Sequence, residues 1–343
     1  MSFLKYQKHN PEFLNNYLKY KAFIELKSKT TVNATYFDLR TLLRYIKLLK
    51  TNKEKINTIT PDEFKEIPII DITIDDLSNI TADNLEKYII FLANILNNDV
   101  KTRNRKLASV KGFFEYLEVN NFIRINLARN MKSGRVEKNI PKYLELTESK
   151  QLLANIIKSD SKFKIRNYAI TCLFLNCSLR LSELTSINIS DLKIDDTEQT
   201  LKIHGKGNKE RIIYLNSAVC EAINSYLLVR PNLGKDTKDY KALFISNQNN
   251  RISNRAVQTI IKDELLTLLN ENPYKDKYHT HTLRHTSATL LYNEKDVNIF
   301  VLKRILGHEC LKSTEIYTHV SDKKLKYIME NCTISSILKR NGG

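Results

Sequence analysis

The segment from His281 to Tyr317 combines side chains that could carry out phosphate chemistry. It contains H-T-L-R-H, ending at His285, then L-G-H, ending at His308, and then I-Y-T-H around Tyr317. A tyrosine can act as a nucleophile, an imidazole can accept its proton, and an arginine fork can bind anion oxygens. Taken singly, His308 could equally cap a helix, and Tyr317 is one of 17 tyrosines. All three residue types in one short region predict an active site that acts on a phosphate.

Two basic residues further upstream have a similar character. Arg180 follows a strongly apolar helix predicted over 167–176, which is a poor place for a freely solvated guanidinium. An ion pair with Glu183 is the structural alternative. Lys206 lies between two glycines at the tip of a predicted β-hairpin, where bare backbone lets a ligand approach closely, although an ordinary turn lysine has the same sequence pattern.

Three histidines, His279, His281 and His285, suggest a metal site as an alternative. The last two are four residues apart and would share one face of a helix. The metalloprotease pattern requires a glutamate directly after the first histidine, where this chain has Thr282, and Arg284 would place a fixed positive charge beside the ion. The arginine therefore favours an anion over a metal.

The elements that must position these residues belong to a long and basic chain. Its 343 residues predict two domains, because one ordinary core does not extend over that length. A net charge of +17 indicates a polyanionic partner, nucleic acid first and a membrane surface as the alternative. The longest apolar run, 88–96, is too short to cross a bilayer, and the N-terminus has no signal-peptide core. We expect a soluble intracellular protein.

Cysteine and glycine usage argue against several other classes. The five cysteines are odd in number and form no C-x-x-C pair, so they indicate core residues in a reducing compartment, not a disulfide framework or a zinc site. Glycine occurs only eight times, and neither the G-x-x-x-x-G-K-[ST] nor the G-x-G-x-x-G pattern is present. An NTP-driven motor or a dinucleotide enzyme is therefore not expected.

The basic charge of the first half is banded. Residues 1–51 hold 10 basic and 3 acidic residues, 52–100 hold 4 and 10, and 101–138 hold 10 and 3. Apolar periodicity predicts two helices in the first 50 residues. We expect the acidic band to be a loop or insertion that faces away from a polyanion and leads into a helix near Thr81.

A helix predicted over 101–119 places its basic residues mostly off its apolar stripe. Basic residues continue to 138 without periodicity, which suggests a linker that crosses a DNA groove, with a solvated basic face as the alternative. We place the boundary near 136–142. The candidate DNA-binding residues are Arg103, Arg105, Lys106, Lys111, Arg135 and Lys209.

The second half is predicted to be helical around one small sheet. A helix begins near Thr147, strands are predicted over 201–204 and 211–215, and the remainder is helical. The fold class is therefore mainly α, with a small antiparallel β-sheet in the C-terminal domain.

Taken together, the motifs resemble the tyrosine recombinase (phage integrase) family, and its Xer-like branch most closely. The matching strings are S-L-R-L-S-E-L around Arg180, H-G-K-G-N-K-E-R around Lys206, H-T-L-R-H, L-G-H and I-Y-T-H, in the family's order. The string from Asn104 to Leu117 is similar to the family's last core-binding helix. One departure is Cys177-Ser178, which stands where the family usually has Thr-Gly. The resemblance implies a two-domain DNA clamp, with a helical, SAM-like core-DNA-binding domain over 1–138 and a catalytic domain with a tail helix over 139–343.

The resemblance also implies a reaction. Tyr317 would attack a DNA phosphodiester, forming a 3′-phosphotyrosyl bond and releasing a 5′-hydroxyl, with no nucleotide, metal or other cofactor. The transition state concentrates negative charge on the non-bridging oxygens. Arg180 and Arg284 would bind those oxygens, and His308 would add a hydrogen bond.

The remaining site residues have proton-transfer and supporting roles in this resemblance. His281 is the candidate base for the tyrosine, whose unperturbed pKa is about 10. Lys206 would protonate the departing 5′-oxygen. Glu183 would orient Arg180, and His285 would support the site.

The resemblance implies a site-specific recombinase that forms a tetramer on two double-stranded DNA sites, in the cytoplasm and associated with the nucleoid. A type IB topoisomerase, which relaxes one duplex, and a non-catalytic DNA-binding accessory protein are the competing hypotheses. The motifs do not distinguish resolution of chromosome dimers from integration or excision of a mobile element. They also leave open whether a related recombinase is a partner.

Overall fold

A computed structural model describes residues 7–136, 142–205, 210–234, 237, 239–294 and 298–307. The chain divides into two compact units, Met1–Lys138 and Asn139–Gly343. Within the described residues, no helix is long and apolar enough to cross a membrane.

The first unit is built from helices joined by loops, and its described residues contain no strand. Its α-helices are α1 (Glu12–Lys19), α2 (Lys29–Thr51), α3 (Pro61–Glu66), α4 (Ile74–Ser78), α5 (Ala82–Asn94) and α6 (Val100–Val119). A π-helical turn, Tyr20–Ile24, extends α1. The long helices α2 and α6 pack on each other and bury aromatic and aliphatic side chains that include Tyr36, Phe113 and Phe114.

The acidic band of this unit is not the predicted loop. It forms α3 and α4, and Thr60 and Thr73 each begin a helix with a reciprocal capping box, in which the threonine and an acidic residue three positions later exchange hydrogen bonds with the backbone. Phe64 and Leu77 are buried in the core. The expected helix near Thr81 is confirmed as α5, with Thr81 as its N-cap.

The second unit surrounds a three-stranded sheet with helices. Its α-helices are α7 (Leu146–Lys158), α8 (Lys164–Cys177), α9 (Leu181–Ser186), α10 (Ser217–Val229), α11 (Asn254–Leu268), α12 (Thr280–Glu294) and α13 (Ile299–Leu306). The strands β1 (Leu192–Ile194), β2 (Gln199–His204) and β3 (Glu210–Tyr214) pair antiparallel in that order. The mainly α fold with a small antiparallel sheet is confirmed, and β1 is an addition that the sequence did not predict.

Helix α8 lies at the centre of the second unit. It packs against α7, α10 and α12, so nearly every side of it is covered. That position explains why α8 buries side chains on more than one face, the polar Asn167 and Thr171 among them. Because α9 and α12 are anchored around α8 and its C-terminal turn, the residues that they carry have fixed positions.

Candidate active site

Arg180 is the N-cap residue of α9, directly after the turn that ends α8. Its backbone N–H donates to Oε2 of Glu183 (2.8 Å) and its Nη1 donates to Oε1 (2.8 Å). Its Nη2 donates to the main-chain carbonyl of Gly307 (3.1 Å). The side chain remains 38% exposed, so part of the guanidinium can still reach an anion from solvent.

Glu183 is a buried carboxylate between arginines. Its side chain is 3% exposed and accepts from Arg180 and, through both oxygens, from Arg211 (2.9 Å each). Burial by itself would raise the pKa of Glu183, but the hydrogen bonds from Arg211 and from the Arg180 backbone outweigh it and lower the pKa to about 2. Glu183 is therefore ionised at neutral pH, and the predicted pairing with Arg180 is present.

Arg284 lies on α12 with its side chain inside the unit. Nη2 donates to the carbonyl of Leu306 (2.8 Å), and Nη1 donates to the carbonyl of Ser178. Nη1 also lies 3.9 Å from Oε2 of Glu183. The carbonyl of Leu306 thus accepts from Arg284, and the carbonyl of Gly307 accepts from Arg180. The C-terminal end of α13 is therefore hydrogen-bonded to both arginines.

His281 and His285 lie one turn apart on α12, as their spacing predicts. Partial desolvation, followed by the neighbouring charges of His279, Arg284 and Arg180, lowers the pKa of His281 below 6.5. Desolvation also lowers the pKa of His285, to about 4. Both imidazoles are therefore neutral at pH 7 and able to accept a proton or a hydrogen bond.

Three predicted catalytic residues, Lys206, His308 and Tyr317, lie outside the described residues, and so does Lys209. The residues adjacent to two of them are described. Strands β2 and β3 pair up to His204 and Glu210. Gly307 ends α13 with a positive φ of 60°.

The candidate DNA-binding residues of the first unit differ in accessibility. Lys106 is buried, and its ammonium donates to Thr41 (2.9 Å) and lies 3.6 Å from the buried carboxylate of Asp38. Arg105 also pairs with Asp38, but its side chain is half exposed. These contacts assign Lys106 to the packing between α2 and α6, and leave Arg105 able to reach a phosphate.

Sequence reasoning missed Arg211, which holds Glu183 as firmly as Arg180 does. The signal was present, because Arg211 ends the string H-G-K-G-N-K-E-R, but nothing in the string indicates a partner 28 residues upstream. The metal alternative gains no support: no group of three or more His, Cys, Asp and Glu residues among those described could hold an ion.

The family follows from comparison with known proteins. The model of the phage integrase family matches residues 142–324, which carry every site motif identified above. The chain belongs to this family.

Two curated relatives show to which class of the family the chain belongs. The chain is 40% identical over 327 residues to tyrosine recombinase XerC of Caldanaerobacter subterraneus subsp. tengcongensis, covering 95% of this chain and 88% of the relative. It is 33% identical over 306 residues to tyrosine recombinase XerC of Thermodesulfovibrio yellowstonii, covering 86% and 95%. The protein is a tyrosine-type, Xer-like site-specific recombinase, and neither competing hypothesis gains support from these relatives.

Solved structures agree on the fold. XerH site-specific recombinase bound to palindromic difH substrate superimposes with a TM-score of 0.67 at 19% identity, covering 93% of this chain and 83% of that one. A lambda integrase dimer bound to a COC′ core site gives a TM-score of 0.61 at 13% identity, covering 91% and 95%.

Proposed function

We propose that Tyr317 is the nucleophile with which this recombinase cleaves and rejoins DNA. Its phenolate oxygen attacks the scissile phosphorus, the bond from phosphorus to the 5′-oxygen breaks, and a 3′-phosphotyrosyl bond forms. The 5′-oxygen leaves with a proton as a 5′-hydroxyl. Attack by a 5′-hydroxyl on the phosphotyrosyl bond reverses the step and rejoins the strand, so the phosphoester energy is retained.

Arg180 and Arg284 bind the non-bridging oxygens of that phosphate. The observation that carries the proposal is the shared anchoring of these two permanently charged forks by Glu183 and by the carbonyls at the end of α13. Donors fixed before the reaction stabilise developing charge without reorganising. His308, which directly follows the anchored turn in sequence, adds a hydrogen bond to the same oxygens.

His281 takes the proton from Tyr317, and Lys206 gives one to the 5′-oxygen. A base must be neutral at the working pH, and the lowered pKa of His281 meets that requirement. His285, with a pKa of about 4, acts as a neutral hydrogen-bonding support.

The two units form a clamp on double-stranded DNA, with DNA-binding in the first and catalysis in the second. The proposed phosphate contacts are Arg103, Arg105, Lys111, Arg135 and Lys209. Lys106 is omitted because it is buried against Asp38 and Thr41.

Recombination between two sites requires assembly, and we place a tetramer on two DNA sites in the cytoplasm, associated with the nucleoid. The substrate is either a chromosomal site at which dimers are resolved or the end of a mobile element. Sequencing the DNA that is recovered in covalent complex with the protein distinguishes these targets. A second, related recombinase bound at the same site would identify a partner.

Replacing the nucleophile tests the chemistry. Tyr317→Phe removes the attacking oxygen and should abolish the covalent adduct on a nicked duplex of the recovered site, measured by denaturing gel electrophoresis. The control is Tyr274→Phe, which removes an exposed phenol from the same unit. An adduct that persists in Tyr317→Phe, or is lost equally in the control, would contradict the assignment.

A further inference from the structure

Arg211 occupies a core-facing position of the sheet. Residues alternate between the two faces of a strand, and Arg211 lies on the same face of β3 as buried Ile213, directly opposite buried Ile203 of β2. An apolar side chain is expected there. The Arg211 side chain is only 17% exposed, so its charge must be balanced inside the unit.

The balancing group is Glu183, and the geometry is that of a two-pronged pair. Nη1 and Nη2 of Arg211 each donate to a different oxygen of Glu183 at 2.9 Å. This parallel arrangement fixes the plane of the carboxylate, which a single lysine ammonium cannot do. The plane of Glu183 in turn sets the position of Arg180, which donates to the same two oxygens through its side chain and backbone.

Arg211 also limits the turn that ends α13. A Cβ added to Gly307 would lie 3.1–3.3 Å from the guanidinium of Arg211. Gly307 is the residue whose carbonyl accepts from Arg180, and it precedes His308. One guanidinium therefore binds Glu183 and leaves little room for a side chain at Gly307, and both of these residues accept hydrogen bonds from Arg180.

The charge of the cluster gives Arg211 a second effect. Three guanidinium groups, those of Arg180, Arg211 and Arg284, surround the single carboxylate of Glu183. With Arg211 present, its charge balances that of Glu183, and the cluster as a whole keeps a net positive charge that attracts a phosphate. Without it, Glu183 would draw on Arg180 for charge balance.

We propose that Arg211 is a positioning residue for DNA cleavage, which neutralises and orients Glu183 so that Arg180 presents its charge to the scissile phosphate. The inference rests on the proposed role of Arg180. It assigns no contact between Arg211 and DNA.

Two substitutions of Arg211 test the proposal on a nicked duplex of the recovered site. Arg211→Met removes the charge and should slow covalent adduct formation by roughly 100-fold, the scale of losing one preorganised donor. Arg211→Lys keeps the charge but loses the two-pronged pairing, and we expect a loss of roughly tenfold. Binding to an uncleaved single site should change by less than about threefold in both.

A matched control separates positioning from folding. Arg230→Met removes another arginine of the second unit, whose guanidinium donates to the carbonyls of Tyr240, Ala242 and Leu243 and not to Glu183. It should lose thermal stability while the folded protein cleaves at the original rate. If Arg211→Met does not fold, the cleavage rate of Arg211→Lys is the test. Cleavage at the original rate by folded Arg211→Lys would overturn the proposal.

The background of Arg180→Ala supplies the decisive comparison. If Arg211 acts through Arg180, adding Arg211→Met to Arg180→Ala should slow cleavage by less than about threefold further, because interacting residues are not additive. A further loss of cleavage rate near 100-fold would show that Arg211 does not act through Arg180, and would overturn the inference. Full activity of Arg180→Ala alone would instead refute the proposed role of Arg180.

A substrate with a sulfur in place of the bridging 5′-oxygen excludes an effect through Lys206. A thiolate leaves without protonation, so this substrate should restore cleavage by Lys206→Ala. It should not restore cleavage by Arg211→Met. Equal rescue of both variants would assign Arg211 to the leaving-group step and contradict the proposal.

Discussion

The histidines of α12 differ in what their surroundings allow. His285 is half-buried and desolvation lowers its pKa to about 4, whereas His281 is exposed and a weaker desolvation is still the main cause of its lowered pKa. Arg284 contributes to both shifts, because a fixed positive charge disfavours a second one nearby. Arg284, the proposed phosphate ligand, therefore also helps to keep His281, the proposed base, unprotonated.

This arrangement predicts the pH dependence of cleavage. Protonated His281 cannot act as a base, and its pKa is lowered from 6.5. The rate should therefore decline towards acid pH (the acid limb) with a midpoint below pH 6.5. His281→Gln should slow adduct formation by about 10²–10⁴-fold and remove that acid limb. Single-turnover cleavage from pH 5 to 8 measures both.

The control is His279→Gln, which removes the neighbouring imidazole, 6.1 Å away between ring centroids. Because His279 helps to lower the pKa of His281, the acid limb should persist in this variant and move to higher pH. A midpoint of the acid limb above pH 6.5 in the unmodified protein, or an unchanged profile in His281→Gln, would show that His281 is not the base.

At the scale of elements, the turn between α8 and α9 positions both arginines. Ser178 ends α8 in the left-handed conformation, with φ of 51° and ψ of 36°, where the family usually has glycine. Its carbonyl accepts from Arg284, and its hydroxyl donates to Ser287 on α12 at 2.5 Å. A serine in this conformation is strained because it has a Cβ, but its hydroxyl forms a hydrogen bond that links α8 to α12.

Two substitutions of Ser178 separate the strain from the hydrogen bond. Ser178→Ala and Ser178→Gly both lose the hydroxyl, but only alanine retains a Cβ in the left-handed region, which costs about 1–2 kcal/mol. We expect the free energy of unfolding of Ser178→Gly to exceed that of Ser178→Ala by about 1 kcal/mol. Urea denaturation of the two proteins measures the difference, and equal stability would show that the turn relaxes around alanine.

Element prediction from the sequence succeeded for the long helices and for strands β2 and β3 on either side of the predicted hairpin turn. Periodicity needs a window of roughly 11–18 residues, so α2, α6 and α8 were found while α3, α4 and β1 were not. The capping boxes at Thr60 and Thr73 were the available signal for the short helices. Helices α3 and α4 are stabilised by the burial of Phe64 and Leu77. This packing is a tertiary effect that the local sequence does not predict.

The candidate site was likewise predicted only in part from the sequence. Each arginine and histidine of the described site stands in a short string that could be recognised by itself. The pairing of Arg211 with Glu183 joins β3 to α9, and the burial of Lys106 depends on Asp38 of another helix. Such contacts form between segments that are distant in the sequence, so they could not be predicted from it. The charge and spacing of Lys106 therefore led to its wrong assignment as a DNA-binding residue.

At the scale of the whole molecule, the acidic band reduces the positive charge of its own unit. Lys47 pairs with Asp71, and Lys50 pairs with Asp76 at 2.8 Å, so these two lysines of α2 are already matched. The remaining excess is concentrated over 101–138 and in the second unit, in a chain of net charge +17. Attraction to DNA should therefore depend on the later basic residues more than on those of α2.

The tail after Tyr317, which lies outside the described residues, is a candidate for assembly contacts. Leu325, Ile328 and Met329 have helical spacing, which predicts an apolar face that either packs in its own unit or docks on a neighbouring protomer. Docking would couple cleavage to a tetramer. Deleting 321–343 should then reduce paired DNA sites by at least about tenfold, or ~1.4 kcal/mol of assembly free energy, while single-site binding is retained.

The deleted segment also holds five basic and two acidic residues, so the deletion changes the charge as well as the apolar contact. The matched variant Ile328→Ser with Met329→Ser keeps the length and every charge, and removes only the apolar contact. Gel-shift titration separates single-site from paired complexes for both proteins. Docking on a neighbour requires that both lose pairing; pairing that survives in both would mean that the tail packs within its own protomer, and that the tetramer is held by other surfaces.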